Sequence, residues 1–190
     1  MKNKILIFTI TILVTACDLF TTRDAEDPNQ NRSNFVTPSS ASLVIQNLKN
    51  SLADKNVQNY LSCFVDTLYS SRQFSFSASS EALIQFQMQD WGKDEEQRYF
   101  NAVINKVNQN VDIQLALKDT IYSSLGGDSA IYSANYDLTV PFATSNTIVY
   151  SGNLEFKLLR DERSLWSIYF WKDTKGQVNP SWSELKGSYY

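Results

Sequence analysis

Residues 132–140 read YSANYDLTV, and apolar and polar side chains alternate through the whole stretch. Because side chains on a strand point to opposite faces in turn, this period of two predicts a strand with one buried and one solvent-facing side. The predicted buried side carries Tyr132, Ala134, Tyr136, Leu138 and Val140. A sheet is therefore expected to organise this part of the chain.

The stretches on both sides of this strand continue the pattern. Residues 111–117 (VDIQLAL) precede it, and residues 148–158 (IVYSGNLEFKL) follow it, with Gly152 as a candidate bulge. The stretch LWSIYFW, Leu165–Trp171, is apolar on both faces, which is typical of a strand covered on both sides. Turn residues separate the strands at Gly126–Asp128, Ala143–Asn146 and Asp161–Arg163. We predict a meander of long antiparallel strands that bulges help to curve.

The N-terminal half has helical spacing instead. Thr37-Pro38 is a helix-start signal, and apolar residues then recur at intervals of three and four up to Leu52. A second short helix is predicted around Val57–Phe64, and residues 69–78, which alternate in part, are predicted to form a strand. Helices followed by a run of strands indicate an α+β fold, with the helices on one face of a strongly curved antiparallel sheet.

An acidic run opens the third main helix. This helix is predicted to begin at Asp94, with Gln97 placed to complete a capping box. Asp94, Glu95 and Glu96 are consecutive, which has the composition of a cation site. Because carboxylates in the first turn of a helix are favoured by the helix dipole, we interpret the run as dipole stabilisation.

The order of these elements resembles the NTF2-like (cystatin-like cone) superfamily. Residues 37–66, TPSSASLVIQNLKNSLADKNVQNYLSCFVD, are similar to the first helix pair of such domains. Residues 165–173, LWSIYFWKD, resemble the last strand of the cone. The resemblance covers about residues 37–173 and implies a conical pocket between the sheet and the helices. The superfamily includes isomerases, dehydratases, hydrolases and transport factors, so the fold does not name a function.

The resemblance also implies where functional residues would lie, because enzymes of the superfamily place acids, His or Tyr at the floor of the pocket. The acidic candidates on strands or strand ends are Asp66, Asp119, Asp137 and Asp173, and Asp119 is preferred because it ends the apolar face of its strand. The aromatic candidates for the pocket lining are Tyr132, Tyr136, Phe156, Trp166 and Phe170. Simpler roles compete with each: a turn or solvent position for the acid, and ordinary core packing for the aromatic residues.

The composition excludes much chemistry. The sequence contains no histidine, which excludes Ser-His and Cys-His nucleophile pairs and histidine-based metal sites. No Gly-rich phosphate loop or paired CxxC motif occurs, so no cofactor and no metal are expected. Cys63 lies between apolar residues with no activating cation close in sequence, and we predict that it is a buried hydrophobe. These absences favour a non-catalytic protein.

The start of the chain has the layout of a secretory signal. Lys2 and Lys4 precede the apolar run Ile5–Val14, which is about half the length that a bilayer span requires. The run leads to VTAC, ending at Cys17, which resembles the lipobox of bacterial lipoproteins. The alternative is an ordinary signal peptide with a cysteine beside the cleavage site by chance.

This layout divides the chain into three parts. Residues 1–16 are predicted to be a lipoprotein signal peptide that is removed, and Cys17 then becomes the lipidated first residue. Residues 17–37 are polar and mixed in charge, and we predict a flexible tether. Residues 38–190 are predicted to form the single NTF2-like α+β domain.

We therefore expect a lipoprotein of the bacterial cell envelope, anchored to the membrane through its lipid. The outer membrane is favoured over the inner, with the domain in the periplasm or at the cell surface. The net charge of −3 and the lack of a basic patch argue against nucleic acid as a partner. The favoured function is a binding or accessory domain for another envelope protein. The first alternative is a carrier or sensor of a small apolar ligand in the cone, and the second is an isomerase- or dehydratase-like enzyme.

Lipidation of Cys17 is tested by intact-mass analysis of protein extracted from membranes. We expect the chain to begin at Cys17 and to carry diacyl or triacyl mass, and we expect Cys17→Ala to abolish anchoring. A soluble product cleaved at another position, or membrane anchoring that survives in Cys17→Ala, would show that the lipobox interpretation is incorrect.

Overall fold

The computed structural model describes residues 34–144 and 146–190; the predicted signal peptide, Cys17 and nearly all of the predicted tether lie outside this range. The helices are α1 (Ala41–Ala53), α2 (Val57–Leu61), α3 (Ser80–Phe86), α4 (Lys93–Ile104) and α5 (Trp182–Ser188). The strands are β1 (Ser75–Ser77), β2 (Gln114–Ser124), β3 (Ser129–Val140), β4 (Ile148–Arg160) and β5 (Trp166–Lys175). The predicted α+β class is confirmed.

Within the described residues, the sheet has five strands in the order β1-β5-β4-β3-β2. Strands β2 to β5 form the expected antiparallel meander, but β1 pairs with β5 in parallel, so the sheet is mixed. The prediction of a purely antiparallel sheet needs this correction. The physical reason is that β1 lies between helices in the sequence and adds to the far edge of β5 rather than joining the meander through a hairpin.

Two register shifts mark the irregular points of the sheet. One lies between Lys118 and Ile121 in β2, and the other lies between Lys157 and Leu158 in β4, opposite β5. Gly152, the predicted bulge, instead keeps regular pairing with both neighbouring strands. A Cβ at this position would lie 2.2 Å from the carbonyl oxygen of Thr174, so close approach of the neighbouring backbone requires the glycine.

Two helix starts differ from the sequence-based expectation. Helix α1 begins at Ala41, where the Ser40 side chain caps it, so that Pro38 precedes the helix instead of opening it. Helix α4 begins at Lys93, and the Gly92 N–H donates to the Glu95 carboxylate over 2.9 Å. Glu95 therefore takes the capping position that was predicted for Gln97, because the helix begins at Lys93 rather than at Asp94.

The core lies between the helices and one face of the sheet. Trp171 on β5 and Trp182 on α5 are both fully buried, and their rings meet edge to face at 4.6 Å between centroids. The sequence predicts one helical turn near residues 180–185, in a closing segment (residues 179–185) that folds back and buries Trp171 beneath Trp182. The contact between the two rings confirms that the segment folds back. Helix α5 extends further than the single turn expected, and it places the end of the chain against the inner face of the sheet.

Truncation of Trp182 tests this closure. We expect Trp182→Ala to lower the free energy of unfolding by about 3–5 kcal/mol, because a fully buried indole is replaced by a cavity. Urea denaturation monitored by circular dichroism gives the value. Val178→Ala, in the adjoining loop and 90% exposed, is the control and should change the stability little. Equal stability of the Trp182→Ala and wild-type proteins would contradict this packing.

Candidate functional site

The space between the helices and the inner face of the sheet, called the interior of the cone below, holds an ion pair. The Lys186 ammonium on α5 lies 2.7 Å from both carboxylate oxygens of Glu96 on α4, and both side chains have no solvent exposure. The Glu96 carboxylate also accepts hydrogen bonds from the Tyr60 hydroxyl at 2.5 Å and from the Trp91 indole N–H at 2.7 Å. Every oxygen of this carboxylate therefore has at least two donors.

Aromatic rings surround the same ammonium group. Its Nζ atom lies 3.5 Å from the ring centroid of Trp171 and 3.7 Å from that of Phe76. The rings of Tyr99 and Trp91 lie at 5.6 and 5.8 Å. A cation is attracted to aromatic faces at these distances, and more strongly when water is excluded. We call these four rings together with Glu96 the ammonium cage.

A second carboxylate, Asp173 on β5, fixes the start of α5. One of its oxygens accepts from the Tyr136 hydroxyl at 2.8 Å. The other accepts from the Ser183 backbone N–H at 2.8 Å and from the Ser183 hydroxyl at 2.5 Å. The Tyr136 hydroxyl in turn accepts from the backbone N–H of Trp182 at 2.7 Å, so the first turn of α5 is bonded directly to the sheet.

Burial shifts the pKa values of these interior groups. Burial lowers the pKa of Lys186 to about 8, although the adjacent Glu96 carboxylate favours the charged ammonium. Burial raises the pKa of Asp173, while hydrogen bonds from Ser183 and Tyr136 act against that rise. The pKa of Tyr60 is raised by burial and by the charge of Glu96. The lysine and tyrosine shifts follow from the cost of holding charge away from water, which proteins offset with close partners.

Glu96 and Lys186 were not predicted to be interior groups, and Asp173 was an acidic candidate ranked below Asp119. Glu96 does lie in the first turn of its helix, as predicted, but its side chain is fully buried, since it extends the core stripe of Tyr99 and Phe100 by one helical turn. The spacing of Trp182, Leu185 and Lys186 is likewise that of one buried helix face. These spacings were the available signals, but the charge of the residues outweighed them.

Two of the predicted pocket residues lie inside the cone. Tyr136 is buried and takes part in the Asp173 network, and Phe156 has no solvent exposure and meets the Trp171 ring edge to face at 5.1 Å. They contact other side chains of the chain itself and form core.

Two others lie outside the cone. Asp119 is exposed, has a positive φ of 50° at the register shift in β2, and accepts a hydrogen bond from Asn135 at 2.9 Å. Phe170 pairs with Lys157, whose ammonium lies 4.9 Å from the ring centroid on the outer face. Strands β2 and β5 each contain an irregular point at which the strict alternation of side chains is interrupted. Asp119 and Phe170 therefore do not face the interior, as strict alternation had predicted.

The remaining two predicted residues line surface clefts. Half-buried Tyr132 borders a groove of about 550 Å³ between α1 and the sheet. Trp166 borders a cleft of about 370 Å³ that also includes Lys93, Arg163 and Ser167. The six predicted pocket residues are thus spread over the core, the outer face and two clefts rather than gathered in one site.

The environment of Cys63 agrees with the prediction of a buried hydrophobe. Cys63 is buried, and burial raises the pKa of its thiol to about 12, which is the environment of an inert core cysteine.

Within residues 34–144 and 146–190, no cluster of three or more acidic or cysteine side chains could hold a metal ion. No helix of that part of the chain is long and apolar enough to cross a membrane.

The geometry is similar to that of several solved structures. An NTF2-like superfamily protein from Salmonella enterica serovar Typhimurium gives a TM-score of 0.55 at 11% identity, over 72% of this chain and 89% of that chain. A protein from Streptomyces avermitilis, proposed to be a dehydratase of the NTF2-like family, gives 0.57 at 11% identity, over 74% and 96%. An NTF2-like protein of unknown function in nutrient uptake from Rhodospirillum rubrum gives 0.51 at 10% identity, over 73% and 99%.

The domain has an NTF2-like fold. At these identities the likeness establishes the fold alone, and the activities of the similar proteins do not transfer with it. No protein-family model matches the sequence, and no curated protein matches it either.

Glu96→Gln tests the interior role of this carboxylate. We expect the free energy of unfolding to fall by about 3–5 kcal/mol, because the Lys186 charge stays buried without a counterion. The control is Asp94→Asn in the same turn, where an exposed carboxylate interacts only with the helix dipole and should cost about 0.3–1 kcal/mol. Urea denaturation at neutral pH measures both.

The double variant Glu96→Gln/Lys186→Met separates an orphaned charge from a misfolded interior. It removes both charges, so we expect it to regain much of the stability that Glu96→Gln loses. Similar stabilities of Glu96→Gln and Asp94→Asn would contradict the buried pair and indicate that Glu96, like Asp94, is stabilised mainly by the helix dipole.

Proposed function

We propose that this protein is a lipid-anchored, non-catalytic domain of the bacterial envelope that serves another envelope protein as a binding or accessory part. The observation that carries the proposal is the closure of the cone by α5, which fills with Trp182 and Lys186 the space where a ligand would lie. The surface of the domain remains available for recognition. The anchor rests on the lipobox-like sequence at Cys17.

The state of the interior acids supports a non-catalytic role. General acid–base catalysis requires a proton-transfer group within hydrogen-bond reach of a substrate. Glu96 and Asp173 are 0% and 1% exposed, and each of their oxygens is already hydrogen-bonded to the protein. The pairs Glu96–Tyr60 and Asp173–Tyr136 have suitable chemistry for proton transfer, but no substrate atom reaches them while α5 is in place.

The same closure weighs against the ligand carrier. A carrier needs an internal cavity large enough to bury most of its ligand, which for typical small molecules is about 300–1,000 Å³. Here Trp182 packs on Trp171 at the centre of the cone, and the Lys186 stem fills the space beside it. An apolar ligand would have to displace α5 and leave Glu96 without its counterion.

The proposal is tested with the full, lipidated chain in intact cells. We expect cross-linking followed by purification to retain one envelope protein in constant ratio to the wild-type chain. We expect Cys17→Ala, which removes the anchor, to reduce that yield strongly. A thermal-shift screen of the wild-type protein against envelope lipids and metabolites should show no saturable shift.

Two results would contradict the proposal. One is a saturable small-molecule shift in a protein that retains no envelope partner. The other is a turnover that disappears in Asp173→Asn while the fold is preserved.

A further inference from the structure

We propose that the interior of the cone is a binding site for a primary alkylammonium group, and that Lys186 is its covalently attached occupant. The observation that points to this is the ammonium cage, defined above as the rings of Phe76, Trp91, Tyr99 and Trp171 with the Glu96 carboxylate. The inference goes beyond the accessory role, because it concerns what the closed interior recognises.

The cage has the two elements that organic ammonium recognition requires. Aromatic faces attract the charge without forming covalent or directional bonds, and the nearest two centroids lie 3.5 and 3.7 Å from Nζ. Glu96 supplies a full negative charge at 2.7 Å. Trp171 contributes its face rather than its N–H, which has no hydrogen-bond partner among the described residues.

The cage is assembled mainly by elements other than the helix that carries the lysine. Phe76 is on β1, Glu96 and Tyr99 are on α4, and Trp171 is on β5. The Glu96 side chain keeps its bonds to Tyr60 and Trp91, which also lie outside α5. Removal of the lysine side chain therefore leaves the charge and the rings that surround it.

The backbone of α5 is held independently of Lys186. Ser183 is bonded to Asp173, the Trp182 indole N–H donates to Tyr99 at 2.8 Å, and Lys175 pairs with Glu184 at 2.7 Å. The ion pair with Glu96 is thus one of several contacts that keep the helix in place. Shortening the Lys186 side chain should accordingly open a cavity while α5 stays in place.

The atoms that truncation of Lys186 removes define the ligand that the resulting cavity should bind. Lys186→Ala removes the Cγ, Cδ, Cε and Nζ atoms, which together correspond to propylammonium. A buried cavity created by truncation takes up a small molecule that matches it in shape and polarity. In the wild-type protein an external ammonium must compete with Lys186, which is held at the site by the chain itself.

The experiment titrates Lys186→Ala in the full chain with n-propylammonium chloride, at constant ionic strength set with KCl. We expect a saturable rise in Tm that is greatest for propylammonium, smaller for ethyl- and butylammonium, and absent in the wild-type protein. The neutral isostere 1-propanol should bind at least about tenfold more weakly, because it lacks the charge that the cage attracts. Glu96→Gln/Lys186→Ala should lose most of the response.

If Lys186→Ala is unfolded without ligand, the same titration is followed by recovery of the near-ultraviolet circular dichroism of the buried tryptophans. Equal rescue by 1-propanol and propylammonium would overturn the proposal, since the space would then be only an apolar cavity. The absence of any saturable effect of propylammonium would overturn it as well. Neither result bears on whether the wild-type domain binds an envelope protein, so the two proposals fail independently.

Discussion

The ion pair between Lys186 and Glu96 is the constraint on which the interior of this domain depends. Removing two charges from water costs several kcal/mol per ion, and their attraction offsets that cost only when the geometry is good and further hydrogen bonds are made. Both conditions hold here, since Glu96 also receives hydrogen bonds from Tyr60 and Trp91 and the ammonium lies against aromatic faces. An unpaired charge on either side would be far more costly than the intact pair.

The pair therefore acts on specificity more than on total stability. Hydrophobic burial of Trp182 is not directional, whereas the bonds from Lys186 to Glu96 require a defined position of α5. Asp173 adds a second fixed point at the start of the helix through Ser183. Together these contacts hold α5 in one position, and in that position its side chains fill the interior of the cone. This filled interior is the reason that we propose recognition at the surface of the domain.

The sequence predicted the parts of the fold that follow from local period. The alternation in Tyr132–Val140 gave the meander, and the apolar run ending at Trp171 gave the covered strand that receives Trp182. Departures from strict alternation were not visible. A register shift placed Asp119 on the outer surface, and another turned Phe170 away from the core. Of the strand predicted at residues 69–78, only residues 75–77 form β1, and its parallel pairing with β5 was not predicted, because three residues carry too little pattern to show a partner.

The centre of the site was not predictable by the same means. Glu96 and Lys186 are 90 positions apart, and each satisfies a local rule that places it in solvent. Lys and Glu are almost never fully buried without a partner, so either residue alone is correctly assigned to the surface. The burial of each residue is explained only by its pairing with the other, and a pairing over that distance leaves no periodic signal in one sequence. The helical spacing of Glu96 with Tyr99 was compatible with burial but did not require it.

The most direct test of this account is an NMR measurement of the lysine side-chain ammonium groups in the wild-type protein near pH 6. If the ion pair is buried, one ammonium resonance, removed by Lys186→Met, has protons that exchange slowly with water, and the surrounding rings shift the neighbouring methylene signals strongly upfield. Rapid exchange and unshifted methylene signals for every lysine would show that Lys186 is in solvent, and would contradict the filled, ion-paired interior.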